Sequence, residues 1–168
     1  FFNSRSTSPA DGMEKSYREI VHLLELMGRG DLEYIVYRGS ETFLPDEVTP
    51  VRSKAAEHLS ELAMQYSTDN PLYVVAIGAI TNVASAILMR PEIIDRIVVV
   101  WLGGNALSWP NTIEFNMSQD IAGARVLFGC GVPLVQLPCM GVVSAFSISE
   151  AELNCWLRGK NELCNYLV

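Results

Sequence analysis

Two uninterrupted apolar runs, each closed by glycine, constrain the fold of this chain more than any other feature. Leu72 to Ile77 reads LYVVAI before Gly78, and Ile97 to Leu102 reads IVVVWL before Gly103-Gly104. Neither run alternates polar with apolar residues, so both read as buried strands rather than half-solvated ones. Between them, Thr81-Asn82 offers helix-capping side chains ahead of the apolar turn Val83 to Met89. Strand, helix and strand joined by short links make a parallel crossover.

The flanking segments extend the same alternation. Residues 1–12 are rich in Ser, Pro and Gly and read as a loop, and Tyr17, Ile20, Val21, Leu24 and Met27 then recur at helical spacing from Glu14 to Met27. Tyr34 to Tyr37 reads as a short strand, and Ala55, Leu59, Leu62 and Ala63 mark an amphipathic helix. Asp120 to Phe128 is a helix stopped by Gly129 and Gly131, and Leu134 to Leu137 is a strand stopped by Pro138. Ser149 with Glu152 fits a capping box at the start of a last helical region. The expected fold is therefore α/β, with an open, mostly parallel sheet and helices on both faces. In such sheets ligands bind beyond the carboxyl ends of the strands. That rule selects the loops 38–50, 78–82, 103–118 and 138–147.

Composition narrows the partners. Hydrophobic residues make up 49% and charged residues 18% of the 168 residues, against a usual charged share of about 25%. A buried parallel sheet accounts for this, as does a domain whose apolar surface meets further chain. With net charge −7 and no two basic residues adjacent, a surface that tracks phosphates is not expected, and nucleic acid is excluded as a partner. No apolar stretch approaches the roughly 18 residues that span a bilayer, so no membrane contact is expected. The opening Phe1-Phe2-Asn3 has neither an initiator methionine nor a basic, signal-like start, and reads as part of a longer product. Cys130, Cys139, Cys155 and Cys164 show no C-x-x-C spacing. They read as reduced thiols in a cytoplasmic protein, not as zinc ligands.

The loop 103–118 is the richest in chemistry. After an all-apolar strand it gathers Asn105, Ser108, Asn111, Thr112, Glu114 and Asn116, with Trp109 beside them. Carboxylate and amide groups at a strand end suit a polyhydroxylated ligand, because each hydroxyl both donates and accepts. A turn-rich loop shaped by Asn and Pro would look the same by spacing alone. Gly78 in IGAITN permits close backbone approach, and a carbonyl at that strand end can bind a hard cation. Dinucleotide, P-loop, zinc-protease and serine-hydrolase motifs are absent. Cys139 lies past a strand end with no histidine in any of the selected loops, so it reads as inert.

VVAIGAITNVASAI, RPEIIDRIVVVWLGG, and IEFN followed by QDIAGARVLF resemble, in order and spacing, the inosine–uridine-preferring nucleoside hydrolase family. SYREIVHLLELMG and YRGSE fit the same register. The resemblance implies a Rossmann-like fold of the nucleoside hydrolase type. It also implies calcium-assisted hydrolysis of a ribonucleoside, a small-molecule substrate, to ribose and free base. It puts Glu114, Asn116 and Asn3 on the ribose hydroxyls and the main-chain carbonyl of Ile77 among the calcium ligands. A further ribose-binding Asn is implied before EFN. Direct spacing falls on Ser108, so Asn105 and Asn111 are the alternatives, with Asn105 preferred. Glu114, on a loop, is expected to cost little stability when truncated.

The family's N-terminal D-x-D-x-x-x-D-D cluster has no match, nor has the late aspartate that completes its metal site. The expectation is thus a single incomplete domain over 1–168, lacking the strands with the Asp cluster and the C-terminal part. The catalytic base is not assigned to any residue here. Calcium is expected in the complete enzyme and not on this chain alone, which would be inactive and would form a homo-oligomer or join a complementary fragment. The alternative is a non-catalytic sugar-binding or partner subunit of the same fold.

Overall fold

Helix α1 (Pro9–Leu26) begins within the segment read as a loop. Ser8 accepts a hydrogen bond from the Asp11 amide at 3.1 Å, and Pro9 occupies the first helical position, where a missing N–H costs nothing. The computed structural model describes residues 5–168. It continues through α2 (Lys54–Ala63), β1 (Leu72–Ala76), α3 (Thr81–Met89), β2 (Ile97–Leu102), α4 (Phe115–Gln119), α5 (Ile121–Gly129), β3 (Leu134–Leu137), α6 (Glu150–Trp156) and α7 (Glu162–Tyr166). The capping box of Ser149 and Glu152 opens α6 as expected.

The three strands form a parallel sheet in the order β1-β2-β3. Leu72 pairs with Ile97 and Ala76 with Trp101, then Val99 with Leu134 and Leu102 with Leu137. This is the open parallel α/β fold the apolar runs called for. One strand is missing from the expectation. Tyr34 to Tyr37 pairs with no strand among the described residues, and a 3₁₀ turn over Gly30–Ile35 takes its first half. Of its side chains Tyr37 stacks on His58 with ring centroids 4.1 Å apart, while Tyr34 and Ile35 are exposed; next to it, Arg38 lies 3.8 Å above the Tyr17 ring. A short apolar run becomes a strand only where a ladder partner lies alongside, and the neighbours here are helices.

The second difference concerns the faces. Val99, Ile97 and Trp101 of β2 are buried against Ala63 of α2, Val83 and Ile87 of α3, and Ala124 and Leu127 of α5. The opposite face is open, with Tyr73, Val75 and Ile77 67%, 68% and 75% exposed. Crossovers in parallel sheets share one hand. Strands added in one direction therefore send their helices to the same face, and covering the other requires the strand order to reverse. The order here does not reverse. No helix among the described residues is long and apolar enough to cross a membrane.

Candidate functional site

Side chains tie the carboxyl ends of the three strands together beyond their ladders. Trp101 Nε1 donates to the Gly78 carbonyl at 2.9 Å, and Gln136 Nε2 donates to the Gly103 carbonyl at 2.9 Å. Asn116 Nδ2 donates to the Leu102 carbonyl at 2.9 Å and to the Ile77 carbonyl at 3.4 Å. One amide group thus bridges the ends of β1 and β2, from a helix that starts only thirteen residues after β2 by sequence count. Its Oδ1 has no hydrogen-bond partner among the described residues.

Glu114 sets that helix in place. Only 6% exposed, it is the N-cap of α4, and its carboxylate accepts from the amides of Asn116 and Met117, each at 3.0 Å. It also accepts from the Gly104 amide at 2.8 Å. Gly104 has φ +74°, and a Cβ there would meet Met117 Cε at 2.6 Å. Glycine at that point lets the chain turn back under the carboxylate. The expectation that Glu114, on a loop past the strand end, costs little stability when truncated is corrected by this geometry. Spacing cannot separate a cap from a ligand contact, because both need an acceptor at a loop end.

Asn105 lies close by, buried. Its Nδ2 donates to the carbonyls of Asn111 and Ile113, both at 3.1 Å, and its Oδ1 accepts from the Met140 amide at 3.2 Å. Both amide protons brace the loop, which leaves only one lone pair of Oδ1 for anything else. Asn111 Oδ1 accepts from the Ile113 amide at 3.1 Å on the exposed side of the loop. Asn3 lies outside the described residues. Glu114, Asn116, Asn105 and the Ile77 carbonyl therefore share one end of the sheet.

Thr81 and Asn82 do not cap α3, whose N-cap is Ile80 without a side-chain bond. Asn82 Oδ1 accepts from the amide and hydroxyl of Ser40 and from the Ser53 hydroxyl, each at 2.9 Å. Thr81 Oγ1 donates to Asp120, whose carboxylate is 2% exposed. The sequence reads Asp120 only as the first residue of a helix, whereas it is the N-cap of α5 and a buried acceptor. The only signal was Gly123 three residues later, where a side chain would collide with the carboxylate.

A cleft of about 720 Å³ lies beside this end of the sheet, between Lys15, Glu19 and Ile20 of α1 and Tyr166 of α7. It reaches the strand ends only at Ile77 and Gly78, so Glu114, Asn116 and Asn105 stand outside its wall. Lys15, Glu19 and Tyr166 in its wall already hold hydrogen-bond partners. Lys15 Nζ donates to Asp11 at 2.7 Å and to the Arg5 carbonyl at 2.6 Å. The Tyr166 hydroxyl donates to Glu19 at 2.9 Å, and that carboxylate holds the phenol above its ordinary value.

Calcium takes six to eight oxygen ligands. Among the described residues no three His, Cys, Asp or Glu side chains come together to hold a metal ion. The Ile77 carbonyl is a single donor already facing the Asn116 amide. The described residues do not fit a calcium site.

The family model for inosine-uridine preferring nucleoside hydrolase matches residues 5–167. A pyrimidine-specific ribonucleoside hydrolase RihB of Escherichia coli O1:K1 / APEC is 36% identical over 74 residues, covering 42% of this chain and 24% of that protein. A putative pyrimidine-specific ribonucleoside hydrolase RihB of Shigella boydii serotype 4 is equally similar, with 31% of its length covered. The chain thus matches less than a third of these relatives. A crystal structure of the inosine-uridine preferring nucleoside hydrolase of Bacillus anthracis superposes with a TM-score of 0.49 at 20% identity, covering 64% of this chain and 37% of that one.

Proposed function

We propose, given that this chain belongs to the inosine-uridine preferring nucleoside hydrolase family, that its strand-end crown holds the ribose of a ribonucleoside whose N-glycosidic bond is hydrolysed. What carries the reading is Asn116, buried across the ends of β1 and β2 with both amide protons used on carbonyls. Its Oδ1, without a partner among the described residues, can accept from a sugar hydroxyl. Glu114 supports it. A carboxylate offers roughly four acceptor positions, and three are taken by backbone amides, so one remains for a second hydroxyl. Asn105 can contribute the last lone pair of its Oδ1, and Asn3 is proposed as a further ribose contact.

Hydrolysis moves water onto the anomeric carbon and releases the base with a proton, through a sugar that carries oxocarbenium-like charge. Fixed acceptors on the ribose hydroxyls supply orientation, which is worth several orders of magnitude in rate when the geometry is held. The described residues assign no group to water activation. A calcium ion, implied by the family resemblance, is proposed for the complete enzyme, with its ligands outside the described residues. The open sheet face supports a homo-oligomer or complementary fragment as cover, and the four free cysteines support a reducing, cytoplasmic setting.

The test is on the ligand. Uridine and inosine are titrated into the protein against their 2′-deoxy and 3′-deoxy forms, with ribose release measured in parallel. Loss of one buried hydroxyl contact should weaken binding about tenfold. Equal affinity for the deoxy forms would remove the ribose assignment. Hydroxyl-dependent binding without turnover is the outcome expected of this chain alone, and clear ribose release would overturn the expectation that it is inactive.

A further inference from the structure

The carboxylate of Asp120 has no part in the reading above, yet it is among the most deeply buried polar groups in the molecule. A carboxylate so placed needs its oxygens satisfied. One donor is local: the Gly123 amide, at 2.7 Å on Oδ1, is the ordinary cap of α5. The other two come from far along the chain. Thr81 Oγ1, at the first residue of α3, donates to Oδ2, and the Leu44 amide donates to the same oxygen at 3.2 Å. A cap alone requires neither of these, and an exposed Ser or Asn would serve as well.

The surroundings are built for the carboxylate. A Cβ on Gly123 would stand 2.9 Å from Asp120 Cγ and 3.0 Å from both oxygens. Leu44, whose amide is held, packs with Ala84 of α3 and Val126 of α5. Asp120 also directly follows α4, the helix that carries Asn116 and is capped by Glu114. Thr81 begins the helix that leaves the end of β1, three residues past Gly78. The Thr81–Asp120 bond therefore clamps the end of α4 to the start of α3. That clamp fixes the height at which Asn116 can reach both the Ile77 and Leu102 carbonyls.

We propose that Asp120 is a positioning residue for the Glu114–Asn116 pair, acting through the Thr81 hydroxyl to hold α4 against the end of β1. The inference rests on the ribose reading for its functional meaning, but not for its geometry. Loosening the clamp should leave α4 formed and let it shift relative to β1.

Thr81→Val keeps the shape and removes the donor, whereas Thr81→Ser keeps the donor. Amide hydrogen exchange at Asn116 and Met117, both bonded to Glu114, is measured with inosine affinity in the same samples. The expected result for Thr81→Val is about tenfold faster exchange at those amides and about tenfold weaker inosine binding. Amides of α2 should be unchanged, and Thr81→Ser should restore wild-type behaviour. Should Thr81→Val fail to fold, Asp120→Asn is read in the same way, since Asn can still cap α5 but turns a donor toward Leu44. Unchanged exchange at Met117, or equal acceleration in α2, would show Asp120 to be a structural brace only and overturn the proposal. If the wild-type protein binds no nucleoside, the ribose reading falls, and the exchange pattern alone decides the clamp.

Discussion

Replacing Glu114 with glutamine should destabilise the protein severely, although one oxygen becomes one nitrogen. The carboxylate receives two amides on Oε2, from Gly104 and Met117, and one on Oε1, from Asn116. A glutamine can keep its carbonyl at the Oε2 position, but its NH₂ then faces the Asn116 amide, donor against donor. An orphaned buried amide costs about 1–3 kcal/mol, and two bonds that lose charge assistance cost about 1 kcal/mol each. The total is about 3–5 kcal/mol, set against roughly 5–15 kcal/mol for a whole domain. In urea, with a slope of about 2 kcal/mol per M, the unfolding midpoint should fall by roughly 2 M at unchanged slope. Glu41→Ala, at an exposed position, should leave the midpoint where it is. A fall of less than about 0.5 M for Glu114→Gln would mean that water replaces the amide bonds at little cost, and the cap reading would be refuted.

Asn116→Asp should be more damaging than Asn116→Ala, because a carboxylate oxygen would face the Ile77 and Leu102 carbonyls; thermal melting with nucleoside titration checks the order. Gly123→Ala should lower stability by about 1–3 kcal/mol through collision with Asp120. Gly129→Ala, in the same helix and in open space, should be neutral or stabilising by up to about 1 kcal/mol; paired melts read the difference in sign. Bonds from the Ser149 hydroxyl and amide hold Glu152 below the ordinary glutamate value of 4.5. Its contribution to α6 is therefore present above that value and is lost as pH falls through the lower, folded one. Exchange at the α6 amides should rise across that window, and Glu152→Gln should remove the dependence. Calorimetric titration with Ca²⁺ should show no micromolar binding to this chain, since the described residues bring no three potential ligands together.

The sheet was legible because burial writes directly on composition. LYVVAI and IVVVWL have no polar residue to offer water, and glycine or proline ends each strand, so β1, β2 and β3 could be read with their intervening helices. Local chemistry was legible too where a motif closes on itself, as in the capping box at Ser149. The loop 103–118 stood out because Asn and Glu are costly beside a buried strand unless something satisfies them. What satisfies them lay out of reach. Glu114 turned out to hold amides of its own loop and of Gly104, and Asn116 to hold carbonyls from two strands. Residue types and spacing state that acceptors are present, not which donors the folded chain brings to them.

Tyr34 to Tyr37 shows the same boundary for backbone. Its composition is that of a strand, but pairing is a property of two segments, and here a 3₁₀ turn takes its first half while Tyr37 stacks on His58. Asp120 shows it for charge: the start of a helix in sequence, and in three dimensions the meeting point of Leu44, Thr81 and Gly123. By itself the sequence determined the strand cores, the helix starts that cap locally, and the loop where polar groups collect, since each depends on neighbours within a few residues. The sheet's open face, the lack of a strand at Tyr34 to Tyr37 and the partners of the buried polar side chains were decided by tertiary structure. Those outcomes depend on strand order and on contacts between residues tens of positions apart, which no local pattern encodes.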